Sequence, residues 1–281
     1  MKNADTENDD IALDLLLEKV YRDRGHDFRE YKRGTLMRRL WRRFHATGAR
    51  TCLDYMRFLD IHPEEYQKFA AALTLKISGF FRSQYTFHQM AKLVLPELVS
   101  HKRSQGKRNL RFWSTACAQG EEPYSIAILL AEFLGNQRQD FDIVIYATDI
   151  SPWSLKEAQA GVFSPKDLEC LTGTILKSYF TRHDEDYKVR AEIRQMVNFS
   201  YFNLTSTMRQ PFLNLDCIFC CNVLIYLQPQ LQERVLEMLY KSLATPAYLV
   251  LGEVETPTSS LCERLGCLDS KAKIYRKDRR G

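Results

Sequence analysis

The stretch that most constrains the fold is residues 109–130, NLRFWSTACAQGEEPYSIAILL. Residues 110–115 predict a short buried strand, and a turn of small residues, 116–120, follows it. From residue 122 to residue 130 the spacing of apolar side chains predicts a helix with one face against a sheet. A strand, a tight turn and a helix in this order are typical of doubly wound α/β folds, where the ligand lies beyond the carboxyl ends of the strands.

The charge of this turn narrows the kind of ligand. Of the usual glycine triplet of dinucleotide-binding turns only Gly120 remains, and two acids, Glu121 and Glu122, stand at the start of the helix. Carboxylates at a helix start repel a phosphate but attract a cation. S-adenosylmethionine, a nucleoside with a sulfonium and an ammonium group, therefore suits the turn better than a dinucleotide. The alternative is a charged first turn that only complements the helix dipole.

A second buried strand, residues 142–149 with the sequence DIVIYATD, ends in Asp149. Rossmann-like units place an acid at this point, where it hydrogen-bonds ribose hydroxyls. Asp149 is therefore a candidate ribose ligand, and its alternative role is a helix N-cap. Asn222 follows a third strand, predicted over 215–220, and so is expected at the same edge of the sheet.

Beyond residue 149 the pattern departs from simple alternation of strands and helices. Residues 161–198 contain a proline, a helical stretch, the polar turn HDEDY and an alternating segment, which predict a helix and a small antiparallel element inserted in the domain. The predicted fold class is α/β, a Rossmann-like doubly wound domain with an inserted antiparallel β-subdomain. Its other predicted strands are 198–203, 248–252 and 273–276, and its other helices are 153–160, 166–180 and 229–242.

Length and composition set outer bounds. A chain of 281 residues can form one mid-sized domain and a smaller one. No apolar run approaches the ~20 residues that span a bilayer, and the acidic start is not a signal peptide, so we expect a soluble, cytoplasmic protein. Eight cysteines, several within apolar strands, indicate reduced thiols. Cys217 and Cys220 have CxxC spacing, but an odd offset sends them to opposite strand faces, so no metal site is expected.

The N-terminal part predicts a flexible acidic tail, residues 1–10, and then a small helical domain, residues 11–75. Residues 35–46, TLMRRLWRRFHA, form an amphipathic helix in this prediction. Its packing face carries Leu36, Met37, Leu40, Trp41 and Phe44, and its other face carries Arg38, Arg39, Arg42 and Arg43.

Four guanidinium groups with no acid between them repel one another. An acidic partner, either nucleic acid or an acidic protein helix, would relieve that repulsion, and the alternative is a solvated face.

Residues 76–88 are predicted as a linker to the α/β domain, 89–281. In its KISGFFR motif Ser78, Gly79 and Arg82 interrupt an apolar stretch. Such a loop can close over a cofactor and offer Arg82 to a carboxylate, and the alternative is an ordinary interdomain linker.

These motifs together resemble the CheR family of chemotaxis-receptor methyltransferases. The resemblance runs in the same order over almost the whole chain and is carried by KRGTLMRRLWRRF, ISGFFR, STACAQGEEPYSIA, ATDIS, NL at 203–204 and FCCNVLIY. It implies a helical N-terminal domain joined to an S-adenosylmethionine-dependent methyltransferase domain. The implied activity is methyl transfer to glutamates on the cytoplasmic helices of methyl-accepting chemoreceptors, with S-adenosylhomocysteine as the product. The implied role of the methyl esters is sensory adaptation.

The resemblance also implies roles for individual residues. Arg82 and Tyr226 are the catalytic candidates, with Tyr226 near the transferred methyl group. The receptor-docking candidates are the four arginines of residues 35–46. The implied cofactor contacts are Ser78, Arg82, Glu122, Asp149, Asn203, Leu204, Asn222 and Val223, of which the pairs 203–204 and 222–223 frame the adenine and the methionyl end.

Three positions depart from the family pattern. Lys76 stands where the family commonly has asparagine, which places a cation near a cationic cofactor. Cys221 replaces a common arginine and removes a fixed charge. The turn over 183–187 is short and lacks the glycine-bearing loop of members that grip a receptor's C-terminal peptide, so peptide tethering is not expected.

A monomer without membrane insertion, recruited to receptor arrays at the membrane, is the expected state. Two other functions stay open at this point. One is a non-catalytic, S-adenosylmethionine-binding signalling module. The other is a nucleic-acid methyltransferase, although the Asp/Asn-Pro-Pro-aromatic motif typical of base-modifying enzymes does not occur.

Overall fold

The computed structural model describes residues 2–73, 78–206 and 210–278. The chain divides into two compact units, an N-terminal unit of Met1–Leu75 with Tyr226–Leu231, and an α/β unit of Lys76–Ile225 with Gln232–Gly281. The sequence does not anticipate that Tyr226–Leu231 groups with the N-terminal unit. Lys76 lies outside the described residues. No helix within the described ranges is both long and apolar enough to cross a bilayer.

Within residues 2–73 the N-terminal unit contains four helices: α1 (Lys2–Arg24), α2 (Arg33–Thr47), α3 (Cys52–Ile61) and α4 (Glu65–Leu73). The helix α1 begins at Lys2, so the tail predicted over 1–10 is helical from that residue. No proline or glycine interrupts the sequence between Lys2 and Arg24, which allows the helix to continue. Thr51 and Asp54 form a capping box at the start of α3.

The four arginines of α2 do not form the exposed strip that its amphipathic pattern predicts. Arg39 is 6% exposed, and its guanidinium donates to the carbonyl of Leu73. Arg43 makes a bidentate pair with the buried Glu65 of α4, with Nε–Oε1 and Nη2–Oε2 distances of 2.7 and 2.8 Å. Of the four arginines, only Arg38 and Arg42 are exposed. The prediction of an exposed strip was wrong because α4 provides a carboxylate for Arg43 and a carbonyl oxygen for Arg39.

Trp41 was also misplaced by the pattern, which assigned it to the packing face of α2. Its side chain is 49% exposed, whereas Leu36, Leu40 and Phe44 are buried as expected. The ring contacts Phe44 edge-on, with ring centroids 5.7 Å apart. An exposed tryptophan therefore accompanies the two exposed arginines on this helix.

The described part of the α/β unit is built on a main sheet of seven strands. They are β1 (Asn109–Ser114), β2 (Asp142–Asp149), β6 (Val197–Tyr201), β7 (Leu215–Cys220), β8 (Leu243–Leu251), β9 (Gly266–Asp269) and β10 (Ile274–Lys277). Their order is β6-β2-β1-β7-β8-β10-β9. The first five are parallel, and β10 and β9 add antiparallel pairs at one edge. The doubly wound prediction is confirmed, and β9 was not predicted.

Helices cover the sheet, as an apolar parallel sheet requires. All six residues of β7 are buried, which explains its nearly continuous apolar sequence and buries both Cys217 and Cys220. The helices are α5 (Gln84–Gln89), a π-helical turn (Met90–Val94), α6 (Leu95–Ser104), α7 (Glu121–Leu134), α8 (Pro152–Ala160), α11 (Pro229–Ser242) and α12 (Ser259–Cys262).

The insertion predicted over 161–198 is confirmed as a small antiparallel sheet. Its strands are β3 (Val162–Phe163), β4 (Phe180–His183) and β5 (Asp186–Val189), in the order β3-β5-β4. The single helix predicted over 166–180 is instead a 3-10 turn (Pro165–Leu168) and α9 (Gly173–Tyr179), because Thr172 caps a new helix start. The alternating segment ends in α10 (Ala191–Arg194).

Candidate functional site

The site lies where the strand order reverses, between β1 and β7. The turn that follows β1 is held to both neighbouring strands, since Thr115 N–H donates to Phe219 O (3.0 Å) and Cys117 N–H to Thr148 O (2.9 Å). Gly120 closes the turn at a φ of +101°, and a Cβ there would lie 3.1 Å from the Cβ of Ala158. The turn therefore needs glycine for both its conformation and its space.

Glu122 is half-buried in the first turn of α7, and its Oε1 accepts a hydrogen bond from Ser114 Oγ at 2.6 Å. Burial raises the pKa of Glu122 to about 7. Hydrogen bonds from Ser114 and Cys221 lower this pKa. Among nearby charged groups, Glu255 raises it and Arg82 lowers it. A carboxyl with such a pKa is a ready partner for a cationic ligand, because a nearby cation favours its ionised form.

Glu121, the other acid of the turn, has a different environment. It is 6% exposed, burial raises its pKa, and a hydrogen bond from Ser78 opposes that rise. Within the described residues its Oε2 has no hydrogen-bond partner. Glu121 therefore fastens the segment that contains Ser78 to the start of α7.

Asp149, at the end of β2, holds the neighbouring turns. Its Oδ2 accepts from Ala118 N–H at 2.9 Å and its Oδ1 from Ser151 N–H at 2.8 Å. Ser151 is the N-cap of α8, so the alternative N-cap role of Asp149 does not apply. Burial raises the pKa of Asp149. Because each carboxylate oxygen can accept a second hydrogen bond, ribose hydroxyls are suitable further donors.

Asn222 directly follows β7 with a left-handed φ of +59°, and its N–H donates to Glu255 Oε2 at 2.8 Å. Val223 is half-buried beside it. Asn203 and Leu204 follow β6. Asn203 Oδ1 accepts from the N–H (3.0 Å) and hydroxyl (2.8 Å) of Thr205, and Leu204 is 8% exposed. Each predicted pair therefore follows the carboxyl end of a parallel strand.

The segment that carries Arg82 is anchored, unlike an ordinary linker. Phe80 is 1% exposed and contacts the rings of Phe163 and Phe180 edge-on, with centroids 4.8 and 5.5 Å away. The N–H of Phe81 donates to Ser125 Oγ in α7 at 2.9 Å. Arg82 itself is exposed and close enough to lower the pKa of Glu122.

Tyr226 belongs to the N-terminal unit. Its carbonyl accepts from Lys32 N–H at 2.9 Å, and the Arg39 guanidinium lies 4.6 Å from its ring centroid. In the α/β unit, by contrast, Cys221 and Arg82 both lower the pKa of Glu122, and Glu255 accepts a hydrogen bond from the N–H of Asn222.

Glu255 was missed by the sequence analysis. Its signal was available, since the GEVE run at 252–255 places acids directly after a buried strand, as at Asp149.

The reversal of strand order between β1 and β7 is the switch point of the sheet. A doubly wound sheet and a switch point lined by carboxylates define the class as a Rossmann-like domain for a cationic nucleoside. Among the described residues no cluster of His, Cys, Asp and Glu could hold a metal.

Comparison with known families narrows the class further. Residues 76–273 match the family described as CheR methyltransferase, SAM binding domain, and residues 11–74 match CheR methyltransferase, all-alpha domain. The chain belongs to the CheR methyltransferase family, and its cofactor is S-adenosylmethionine. The buried and half-buried carboxylates at the switch point suit that cationic cofactor.

Individual relatives are similar over most of the chain. A chemotaxis protein methyltransferase of Klebsiella aerogenes is 36% identical over 255 residues, which cover 88% of this chain and 83% of that protein. The chemotaxis protein methyltransferase 2 of Pseudomonas aeruginosa is 35% identical over 242 residues, which cover 85% and 84%. An uncharacterised 104.1 kDa protein of Rhodobacter capsulatus is 32% identical over 244 residues, and the match spans 87% of this chain but 25% of that longer protein.

Proposed function

We propose that this protein methylates glutamate side chains on the cytoplasmic helices of methyl-accepting chemoreceptors. The observation that carries the proposal is the presence on one chain of a carboxylate-lined cofactor edge and a helix with two exposed arginines. Family membership and the similarity to two chemotaxis protein methyltransferases support it. The protein then acts in the cytoplasm as a monomer at receptor arrays, without a receptor peptide tether.

In this proposal the α/β unit holds S-adenosylmethionine, which supplies an electrophilic methyl group on its sulfonium when bound. Glu122 provides the negative charge for the cationic end, and Asp149 accepts hydrogen bonds from ribose. The full set of proposed contacts is Ser78, Arg82, Glu122, Asp149, Asn203, Leu204, Asn222 and Val223.

The acceptor needs no general base. A glutamate with an ordinary pKa of ~4.3 is ionised at neutral pH and is already the nucleophile. The protein mainly aligns the two reactants and excludes water, which can contribute on the order of 7–11 kcal/mol in favourable cases. Arg82 orients the acceptor carboxylate through charge-assisted hydrogen bonds, and Tyr226 shapes the path of the methyl group.

In this proposal the exposed part of α2 binds the receptor. Arg38 and Arg42 meet the acidic receptor helix. Arg39 and Arg43 support the surface from within, because one is buried and the other is paired with Glu65. Exposed charge pairs act mainly on the encounter rate and are screened by salt.

The test is transfer of a labelled methyl group from S-adenosylmethionine to purified receptor cytoplasmic fragments, with RNA as a parallel acceptor. The expected product is a base-labile methyl ester on protein. Label on RNA would instead identify a nucleic-acid enzyme, and cofactor binding without transfer would identify a non-catalytic module. Arg82→Ala should lower turnover by at least tenfold, and wild-type turnover in that variant would refute its assigned role.

A paired substitution tests docking separately. Arg38→Glu with Arg42→Glu should weaken receptor methylation strongly at low salt while leaving S-adenosylhomocysteine affinity unchanged. Arg50→Glu with Arg57→Glu makes the same charge change at exposed positions elsewhere in the N-terminal unit and is the matched control. Equal loss in both double variants would show that only net charge matters.

A further inference from the structure

The turn after β8, residues 252–255, carries a buried acid that the proposed reaction leaves without a role. Glu255 is 4% exposed, yet its carboxylate accepts three backbone N–H groups. Oε2 accepts from Asn222 and Gly252, each at 2.8 Å, and Oε1 accepts from Ile225 at 3.2 Å. Hydrogen bonds to an ionised acceptor are among the stronger ones in proteins, so this side chain clamps residues 222–225 to the end of β8.

The clamped loop has a conformation that needs such support. Asn222 is a non-glycine residue at a φ of +59°, which L-residues adopt uncommonly. The loop also presses against Gly252, where a Cβ would lie 2.6 Å from Glu255 Oε2 and 2.8 Å from Asn222 N. Gly252 therefore permits the approach, and Glu255 holds it in place.

Residues 252–255 also contact the segment that carries Arg82. Ser83, the residue after Arg82, donates from its Oγ to Glu253 Oε1 at 3.0 Å. Ser83 Oγ also lies 2.8 Å from Thr86 Oγ1, which is 3.1 Å from the carbonyl oxygen of Ala272. One short turn thus contacts both the Asn222 loop and the Arg82 segment.

We propose that residues 252–255 are the element that pre-forms the cofactor site, with Glu255 as its positioning residue. The inference rests on the proposed cofactor role of Asn222 and Val223. Glu255 holds their backbone in the binding conformation before the cofactor arrives, and Glu253 steadies the segment of Arg82. Pre-formed sites bind more tightly, because ligand binding then does not have to order the loop.

A matched control separates positioning from general stability. Asp216 is also a buried acid of this sheet, 2% exposed, and it accepts from Lys102 Nζ at 2.7 Å and Arg111 N–H at 2.9 Å. It lies near the amino end of β7, whereas Asn222 follows the carboxyl end. Asp216→Asn should therefore lower the thermal unfolding temperature without changing the S-adenosylhomocysteine dissociation constant.

Glu255→Gln should raise that dissociation constant by about tenfold or more, since a carboxamide has one acceptor oxygen and no charge. Hydrogen exchange at the amides of Asn222, Gly252 and Ile225 should accelerate in this variant and stay slow in Asp216→Asn. An unchanged dissociation constant in folded Glu255→Gln, or equal weakening by both variants, overturns the inference.

A measurement on the wild-type protein covers the case in which Glu255→Gln does not fold. Those three amides should exchange slowly in the free protein, with little further slowing at saturating S-adenosylhomocysteine. Fast exchange that the ligand suppresses would show that the cofactor orders the loop, and it would overturn the inference. Failure of the wild-type protein to bind S-adenosylhomocysteine would instead count against the cofactor assignment itself.

Discussion

We predict that Glu122 makes cofactor affinity depend on pH near neutrality. Because burial raises the pKa of this carboxyl to about 7, a substantial fraction of it is protonated in the free protein at neutral pH. If the ammonium group of the ligand binds only the ionised form of Glu122, the apparent dissociation constant equals the intrinsic one divided by the ionised fraction. That fraction rises from about 0.1 at pH 6 to about 0.9 at pH 8, so affinity should increase about tenfold over this interval.

The assay is calorimetric titration with S-adenosylhomocysteine from pH 6 to pH 8, in buffers of different ionisation enthalpy. The wild-type protein should release about half a proton per ligand bound at pH 7, since binding drives Glu122 to its ionised form. Glu122→Gln should bind more weakly at pH 8 and show a flatter pH profile. The amino group of the ligand titrates equally in both experiments and cancels in their ratio.

Two results would refute this reasoning. One is a wild-type affinity that stays constant between pH 6 and pH 8. The other is a pH profile of Glu122→Gln that parallels the wild type, which would assign the titration to a different group. Asp149 is the next candidate in that event, because burial also raises its pKa.

Two further predictions concern stability and space. Glu65 is 2% exposed and accepts from both Arg43 and the Tyr55 hydroxyl, so Glu65→Gln should lower the free energy of unfolding by about 2–3 kcal/mol; a loss below about 0.5 kcal/mol in denaturant titrations would contradict the pairing. Gly120→Ala should lower the free energy of unfolding by about 1–3 kcal/mol, because residue 120 has a positive φ and an added Cβ would contact Ala158. Calorimetry should also show weaker S-adenosylhomocysteine binding in that variant, and wild-type affinity would argue against a close approach of the turn to the ligand.

Features encoded by neighbouring residues were predictable from the sequence. The buried run of β7 and the strand, turn and helix around Glu122 depend on local periodicity and on small residues in one turn. The acid at the end of β2 follows from the general geometry of parallel sheets. These are the parts of the fold where short-range pattern and tertiary environment agree.

Features that depend on distant partners were not predictable. Arg43 and Glu65 are 22 residues apart, and the amphipathic pattern of α2 contains no sign of that partner. Glu255 acts on backbone groups 33 and 30 residues away, which have no side-chain signature. The break between the 3-10 turn and α9 was only partly predictable. The cap residue Thr172 is visible in the sequence, but the residues on both sides of it have a good helical pattern.

The assignment of Tyr226–Leu231 to the N-terminal unit has a practical consequence for anyone who cuts this protein into pieces. A fragment that starts after residue 75 would strip that segment of its backbone partners at Glu30, Tyr31 and Lys32. A fragment that stops there would lack the short piece of chain that completes its fold. A fragment boundary near residue 75 therefore separates Tyr226–Leu231 from the unit with which it groups.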